Sequence, residues 1–417
     1  MQSKLLTVLF LAFSNAFVLS TLDSSIKKND NSQFIYGKIT TLDNDVYEGQ
    51  IRWGKEEAFW FDFFNSTKPK NDNLKWLSRE EVKELNAHNY EVNNNGWNKV
   101  FKNTWSSGSD HTHVFACQFG DIKKITVKRK QKVRVEFKNG EHYDLDGGSN
   151  DIGETIQIND KDLGNIKLKW DRVHQIEFMS TPSSLVSRYG EPLYGKVKTH
   201  SGLFEGYLQW DHDERLSLDE LNGDNEDGKM DIEFGKIKSI RKNFRGSDVT
   251  LMSGRSLHLK GSNDVNGENR GIIVNTPNYG RIDIPWDEFI EVNFSAAPSN
   301  ISLKYEDYQG GANLRATVET IDGDKISGFI IYDLDETFQL EILNGKTDNI
   351  EYFIPFSALK SITPQNRKES LIKLTNGEEV VLSDKVDVNE SNDGLLIKKG
   401  KESQYISWAK IEKIIYE

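Results

Sequence analysis

The 417-residue sequence predicts an all-β protein of small, strongly bent barrels arranged as three tandem pairs. Three observations predict it. A hairpin with an acidic tip occurs three times, a second hairpin module follows each copy, and all six modules end in the same aromatic-apolar-apolar spacing.

The first module, A, is clearest at "YGKVKTHSGLFEGYLQWDHDE" (194–214), with relatives at 35–57 and 314–336. Val197 and Thr199 share one strand face, Ser201-Gly202 supplies the turn, and Phe204, Gly206, Leu208 and Trp210 line one face of the return. Such period-two alternation marks a half-buried antiparallel strand. Asp322-Gly323 occupies the turn of the third copy, as tight hairpins favour. Gly49, Gly206 and Gly328 hold the same place before each tip.

The second module, B, starts at Val133, Val249 and Ile372, with turns at Asn139-Gly140, Ser253-Gly254 and Asn376-Gly377. The A modules end Phe119-Ile122-Ile125, Phe234-Ile237-Ile240 and Phe356-Leu359-Ile362. The B modules end Trp170-Val173-Ile176, Trp286-Phe289-Val292 and Trp408-Ile411-Ile414. Spacing by threes fits one 3₁₀ turn between two strands that present apolar side chains to one core.

Val197, Gly202, Gly206, Leu208, Asp211, Leu216 and Leu218 stand in an order that resembles the first motif of Sm-like proteins. The resemblance implies Sm-like or SH3-like small barrels. Its base-binding part does not carry over: no Asn follows Asp211, and no Arg-Gly pair precedes the final strand. Nucleic acid is therefore not an expected partner.

One module alone buries too little surface to be stable, so the expected unit is the A–B pair. The pairs are assigned to 34–180, 190–296 and 312–417, separated by "STPSSLVSRYGEP" and "SAAPSNISLKYEDYQGG", which have linker composition. Repetition of this kind predicts a rod or arc. A closed β-sandwich with fewer modules is the alternative.

Residues 1–20 read as a signal peptide: Lys4, an apolar run from Leu5 to Phe13, then small Ser14 and Ala16. The expectation is a secreted or periplasmic chain with no membrane span after cleavage, since no later apolar stretch is long enough. Cys117 is the single cysteine, so no intramolecular disulfide is expected, and its apolar neighbours suggest a buried small hydrophobe. A net charge of −12 disfavours whole-protein attraction to nucleic acid or anionic lipid.

The candidate site is the insertion at 55–113. Ser78 and Glu81 form a capping box that starts one short helix near 79–88. Around it cluster Trp60, Phe61, Phe63, Phe64, Trp76, Trp97 and Trp105, which either fix the insertion to the barrels or form an exposed ligand surface with the amides of Asn93, Asn94 and Asn95. Asn150, Asp151, Asn263 and Asp264 recur as Ser-Asn-Asp loops, readable as local Asx-turns or as ligand contacts. The acidic tips, Asp211, Asp213 and Glu214 with Asp333, Asp335 and Glu336, read as solvated turn carboxylates because no EF-hand loop accompanies them. Asp110, His111 and His113 lack a third fixed metal ligand, and no metal or cofactor is expected. Each A–B junction is basic, at 127–134, 241–245 and 365–368, which suits a solvated turn or an acidic polysaccharide.

No nucleophile elbow, phosphate loop, dinucleotide fingerprint or HExxH motif is present, so no catalytic residue is assigned. The leading expectation is a non-catalytic binding or scaffold protein with a protein or glycan partner, centred on the aromatic insertion. A carbohydrate-binding accessory protein and a carboxylate-dependent hydrolase are the alternatives.

Overall fold

The structure is a computed structural model that describes residues 31–69, 71–94, 113–147, 151–276, 279–298, 303–400 and 402–417. Ten strands build the first pair: β1 (Tyr36–Thr41), β2 (Val46–Trp53), β3 (Phe63–Lys68), β4 (His113–Gln118), β5 (Ile122–Arg129), β6 (Lys132–Phe137), β7 (His142–Asp146), β8 (Ile156–Asp160), β9 (Gly164–Leu168) and β10 (Val173–Phe178). They lie side by side as β4-β3-β7-β6-β5-β10-β1-β2-β8-β9, every neighbour antiparallel. The third pair repeats that order through its ten strands from Arg315–Thr320 to Ile411–Tyr416. In the second pair the hairpin of Glu220–Asn225 and Gly228–Glu233 stands apart as a two-stranded sheet, held to the rest by the Asp224↔Lys260 bridge.

The chain is thus all-β with one α-helix among the described residues, but its sheets are not closed barrels. A and B modules interleave: β1 and β5 of module A both pair with β10, the last strand of module B. Unpaired strand edges are a liability, and the sister module satisfies edges that a lone module would have to close upon itself. The A–B pair is accordingly one sheet with a shared core.

The repeated tip glycine has a steric cause. A Cβ at Gly49 would sit 2.0 Å from the Asn159 carbonyl oxygen, at Gly206 2.3 Å from that of Asn275, and at Gly328 2.7 Å from that of Lys398. The returning strand presses onto its neighbour too closely for any side chain. The aromatic-apolar-apolar endings are all buried, and five of the six form 3₁₀ turns, the exception being a plain turn at Trp286. Cys117 is buried, as its neighbours suggested.

The expected rod or arc is not found, because each pair touches both others. The strand Gly280–Ile284 of the second pair lies antiparallel beside Ile350–Pro355 of the third, and the two pairs share one apolar core. Phe61 stacks on Tyr207 between the first and second pairs, and Phe137 and Tyr143 meet Phe338 between the first and third. Nor do the two inter-pair segments behave as free linkers. Leu185 and Tyr189 pack into a small core of Phe34, Phe59, Phe61, Tyr194 and Tyr207. On the way from the second pair to the third, Tyr305 donates from its hydroxyl to the Ile122 carbonyl at 2.9 Å, and Gly310 N–H donates to Asp121 of the first pair at 2.9 Å. Their serine and proline content signalled irregular backbone, which here is irregular but packed.

The insertion forms a 3₁₀ turn, Asp72–Trp76, and then α1 (Arg79–Asn94), longer than the spacing predicted. The capping box is present: Ser78 N–H donates to Glu81 at 2.7 Å and Glu81 N–H to Ser78 Oγ at 3.2 Å. Leu85 of α1 packs on Ile331, Leu334, Leu396 and Tyr405, and Glu81 also accepts the Tyr405 N–H at 3.0 Å. The helix thereby clamps the first pair onto the third.

Candidate functional site

The acidic tips are structural before they are anything else, which corrects the expectation that they are solvated. Asp211, Asp333, Asp335 and Glu336 are buried. Trp53 and Trp210 donate from Nε1 to the carbonyl oxygens of Asp151 (2.9 Å) and Asp264 (2.8 Å), and the Tyr332 hydroxyl donates to that of Asp387. The carboxylates of these three acids in turn accept the N–H of Asn65, Asn222 (2.7 Å) and Asn344 (2.7 Å). Each latch pins a module-B loop to module A. Burial pushes Asp151 and Asp387 up to about 7 and Glu214 up to about 9, so these carboxyls hold protons in or near the neutral range. Asn263 donates from its amide to Asp211, a second tie within the same loop. Asp151, Asp264 and Asn263 are therefore committed to the fold; Asn150 lies outside the described residues.

A further acid repeats nine residues beyond the aromatic tip residue: Asp62, Asp219 and Glu341. Each accepts two backbone N–H groups of its own turn: Ala58 and Phe59, Arg215 and Leu216, Thr337 and Phe338. Each is also neutralised from a different pair. Arg215 lies 2.6 Å from Asp62, Arg52 lies 2.8 Å from Asp219, and Lys68 meets both Glu341 and Asp335. Arg215 and Lys68 are buried.

The aromatic candidates divide. Trp60, Phe61, Phe63 and Phe64 are core, which corrects their reading as an exposed surface: Trp60 packs on Tyr305, Phe61 on Tyr207, Phe63 near Phe353 and Phe64 against Trp53. Phe61 and Phe63 meet the other pairs, Phe64 stays within the first, and all four rings are buried. Trp97, Trp105, Asn93's neighbours from Asn95 onward, Asp110 and His111 lie outside the described residues. Trp76 remains, 48% exposed.

Trp76 extends a row on the outer sheet face of the third pair. Arg315 stands opposite Phe329, Phe329 opposite Lys398, and Lys398 opposite Ser403, whose hydroxyl reaches the Trp76 carbonyl oxygen at 3.4 Å. Residues directly opposite on neighbouring strands point to the same face. The Arg315 guanidinium lies 5.3 Å from the Phe329 ring centre, and the Lys398 and Lys75 ammonium groups lie 4.3 and 5.7 Å from the Trp76 ring. Phe329 is 46% exposed. A cation over an exposed ring gains roughly 0.5–1 kcal/mol, so the rings steady the cations while half of each ring still faces water. Arg315, Phe329, Asn139, Asn313, Gln339 and Glu417 also line a groove of about 490 Å³ between the first and third pairs. Sequence reasoning found Trp76 and missed Phe329; the signal was its outward phase in "SGFIIY", where Ile330 and Tyr332 point inward.

A second polar feature joins the first two pairs. Arg270 contacts Asp213 at 2.7 Å, Asp211 at 3.6 Å and Glu56 at 4.0 Å. Burial, then Asp213, raises Glu56, and Arg270 opposes them. Among the described residues no group of three or more His, Cys, Asp or Glu side chains is placed to hold a metal ion, and no helix is long and apolar enough to cross a membrane.

No family model matches the chain, and no curated protein matches it. A solved structure titled "Streptogramin B lyase structure" aligns with 72% of this chain and 94% of its own at 12% identity and a TM-score of 0.08, a likeness that establishes no common fold.

Proposed function

We propose that this is an exported, non-catalytic binding protein in which three tightly joined module pairs form a frame for one recognition surface, the row from Arg315 through Phe329 and Lys398 to Trp76. The observation that carries the reading is the pair of half-exposed rings, Trp76 and Phe329, set among cations beside an amide-lined groove. Large rings held at a surface supply contact area at little entropic cost, and amides fix orientation. The Sm-like character of the modules belongs to this proposal as the ancestry of the frame. Capture from the surrounding medium tests it: the chain retains a partner that Trp76→Ala/Phe329→Ala loses, and retention by the double variant overturns it.

A second reading, carboxylate-dependent hydrolysis, is supported by Glu56 and Asp213, two partly exposed acids from different pairs beside Arg270. Two close carboxyls that share a proton can serve as acid and base. Turnover of a glycan that is abolished by Glu56→Gln, with folding intact, would favour it; unchanged turnover removes it.

A further inference from the structure

We infer that the ligand of this row is an acidic polysaccharide, a chain of sugars bearing carboxylate or sulfate groups; the inference rests on the binding-surface reading above. Lys75 and Lys398 approach the same indole, and neither has a carboxylate partner among the described residues. Two like charges held together without a counter-ion repel each other, so the site is short of negative charge that a ligand would supply. The same crowding acts on Lys398, whose hold on a proton is weakened by burial and then by Lys75. Yet the chain as a whole carries −12, so the positive charge here is local rather than a general property.

The geometry selects a linear sugar chain. Phe329 and Lys398 stand opposite each other on neighbouring strands about 4.8 Å apart, and Arg315, on the far side of Phe329, is already paired with Glu417. The exposed Phe329 and Trp76 rings thus offer stacking faces for the apolar side of a sugar ring, and Lys398 and Lys75 supply the positions for its acidic groups. Asn313 and Gln339 in the adjoining groove suit hydroxyls, while the Asn139 side chain is held by Gly311 and Glu141. A compact anion would engage one cation and leave the rings unused.

Affinity electrophoresis of the full chain in gels holding polygalacturonate, dextran sulfate or neutral dextran tests the assignment. The expected result is retardation by the two polyanions and none by dextran. Lys75→Ala/Lys398→Ala should weaken retardation about tenfold, and raising salt past physiological strength, where the Debye length is about 8 Å, should weaken it further. Unchanged melting curves establish that the variants are folded. Equal retardation by neutral dextran, unaffected in the lysine variant but lost in Trp76→Ala, would overturn the acidic class and leave the binding surface standing. Retardation by polyanions that survives in the lysine variant but disappears on replacing Lys128 and Lys130 would move binding to a basic junction and overturn the inference. No retardation in any gel overturns it too, while capture by the Trp76 surface is judged separately.

Discussion

Arg52 of the first pair grips Asp219 of the second through two parallel bonds of 2.8 and 3.0 Å, while Arg215 of the second pair reaches back to Asp62, the counterpart of Asp219, in the first. The exchange is reciprocal. Arg215 is 1% exposed and also donates to the Glu56 carbonyl at 2.7 Å, so it is the more deeply committed of the two arginines.

Arg215→Ala leaves Asp62 buried beside an unfilled space. Breaking one side of a buried ion pair costs about 3–5 kcal/mol, and urea unfolding should show a loss of that order. Arg52→Ala, at a more exposed joint, should cost less than half as much. A larger loss for Arg52→Ala would mean that the joint is organised differently.

Lys68→Met strips a buried cation that contacts both Asp335 and Glu341, so about 3–5 kcal/mol should again be lost. Adding Glu341→Gln should restore part of the loss, because one uncompensated charge is removed. A double variant no more stable than Lys68→Met would show that Glu341 matters chiefly as an acceptor for Thr337 and Phe338.

The buried acids set the pH response. Asp151 and Asp387 are raised to about 7 and Glu214 to about 9, above the ordinary range near 4. Between the unfolded and folded values the native state binds more protons than the unfolded chain, so stability is fully present below about pH 4 for these groups and falls as pH rises through 7 toward 9. Melting temperature should decline over that window. Glu214→Gln should flatten the upper part of the decline, from pH 7 to 9; an unchanged slope there would exclude Glu214 as its source.

At the tip glycines the expected order of damage follows the approach distances. Gly49→Ala should destabilise most, Gly206→Ala less and Gly328→Ala least, starting from the 2.0, 2.3 and 2.7 Å separations. Overpacking of this kind typically costs about 1–3 kcal/mol. Chemical denaturation of the three variants gives the ranking directly.

Much of this architecture is legible in the sequence because its signals are local. Alternation in "LFEGYLQW", the glycines of the Asn-Gly turns and the threefold spacing after Trp408 each depend on residues a few positions apart. The capping box of Ser78 and Glu81 is equally local. What escaped depends on distant neighbours. Asp335 looks like any turn carboxylate until Lys68, 267 residues away, arrives beside it. Likewise Trp60 and Trp76 are indistinguishable as letters in an aromatic segment, yet one is buried against Tyr305 from a remote strut and the other stands half-exposed beside Lys75 and Lys398. The interleaving of modules was hidden for the same reason: nothing in β1 or β10 alone says that they will pair.

The three repeated acids have a consequence for how a chain of near-copies avoids confusing them. Asp62, Asp219 and Glu341 occupy equivalent places, but their cations do not: Arg215, Arg52 and Lys68 come from three different positions of the repeat. Identical joints would let any copy dock against any other, including one from another chain still being made. Because each socket has its own key, the order of the copies along the chain is also their address in the assembled molecule, and an exchange between neighbours would strand a buried charge.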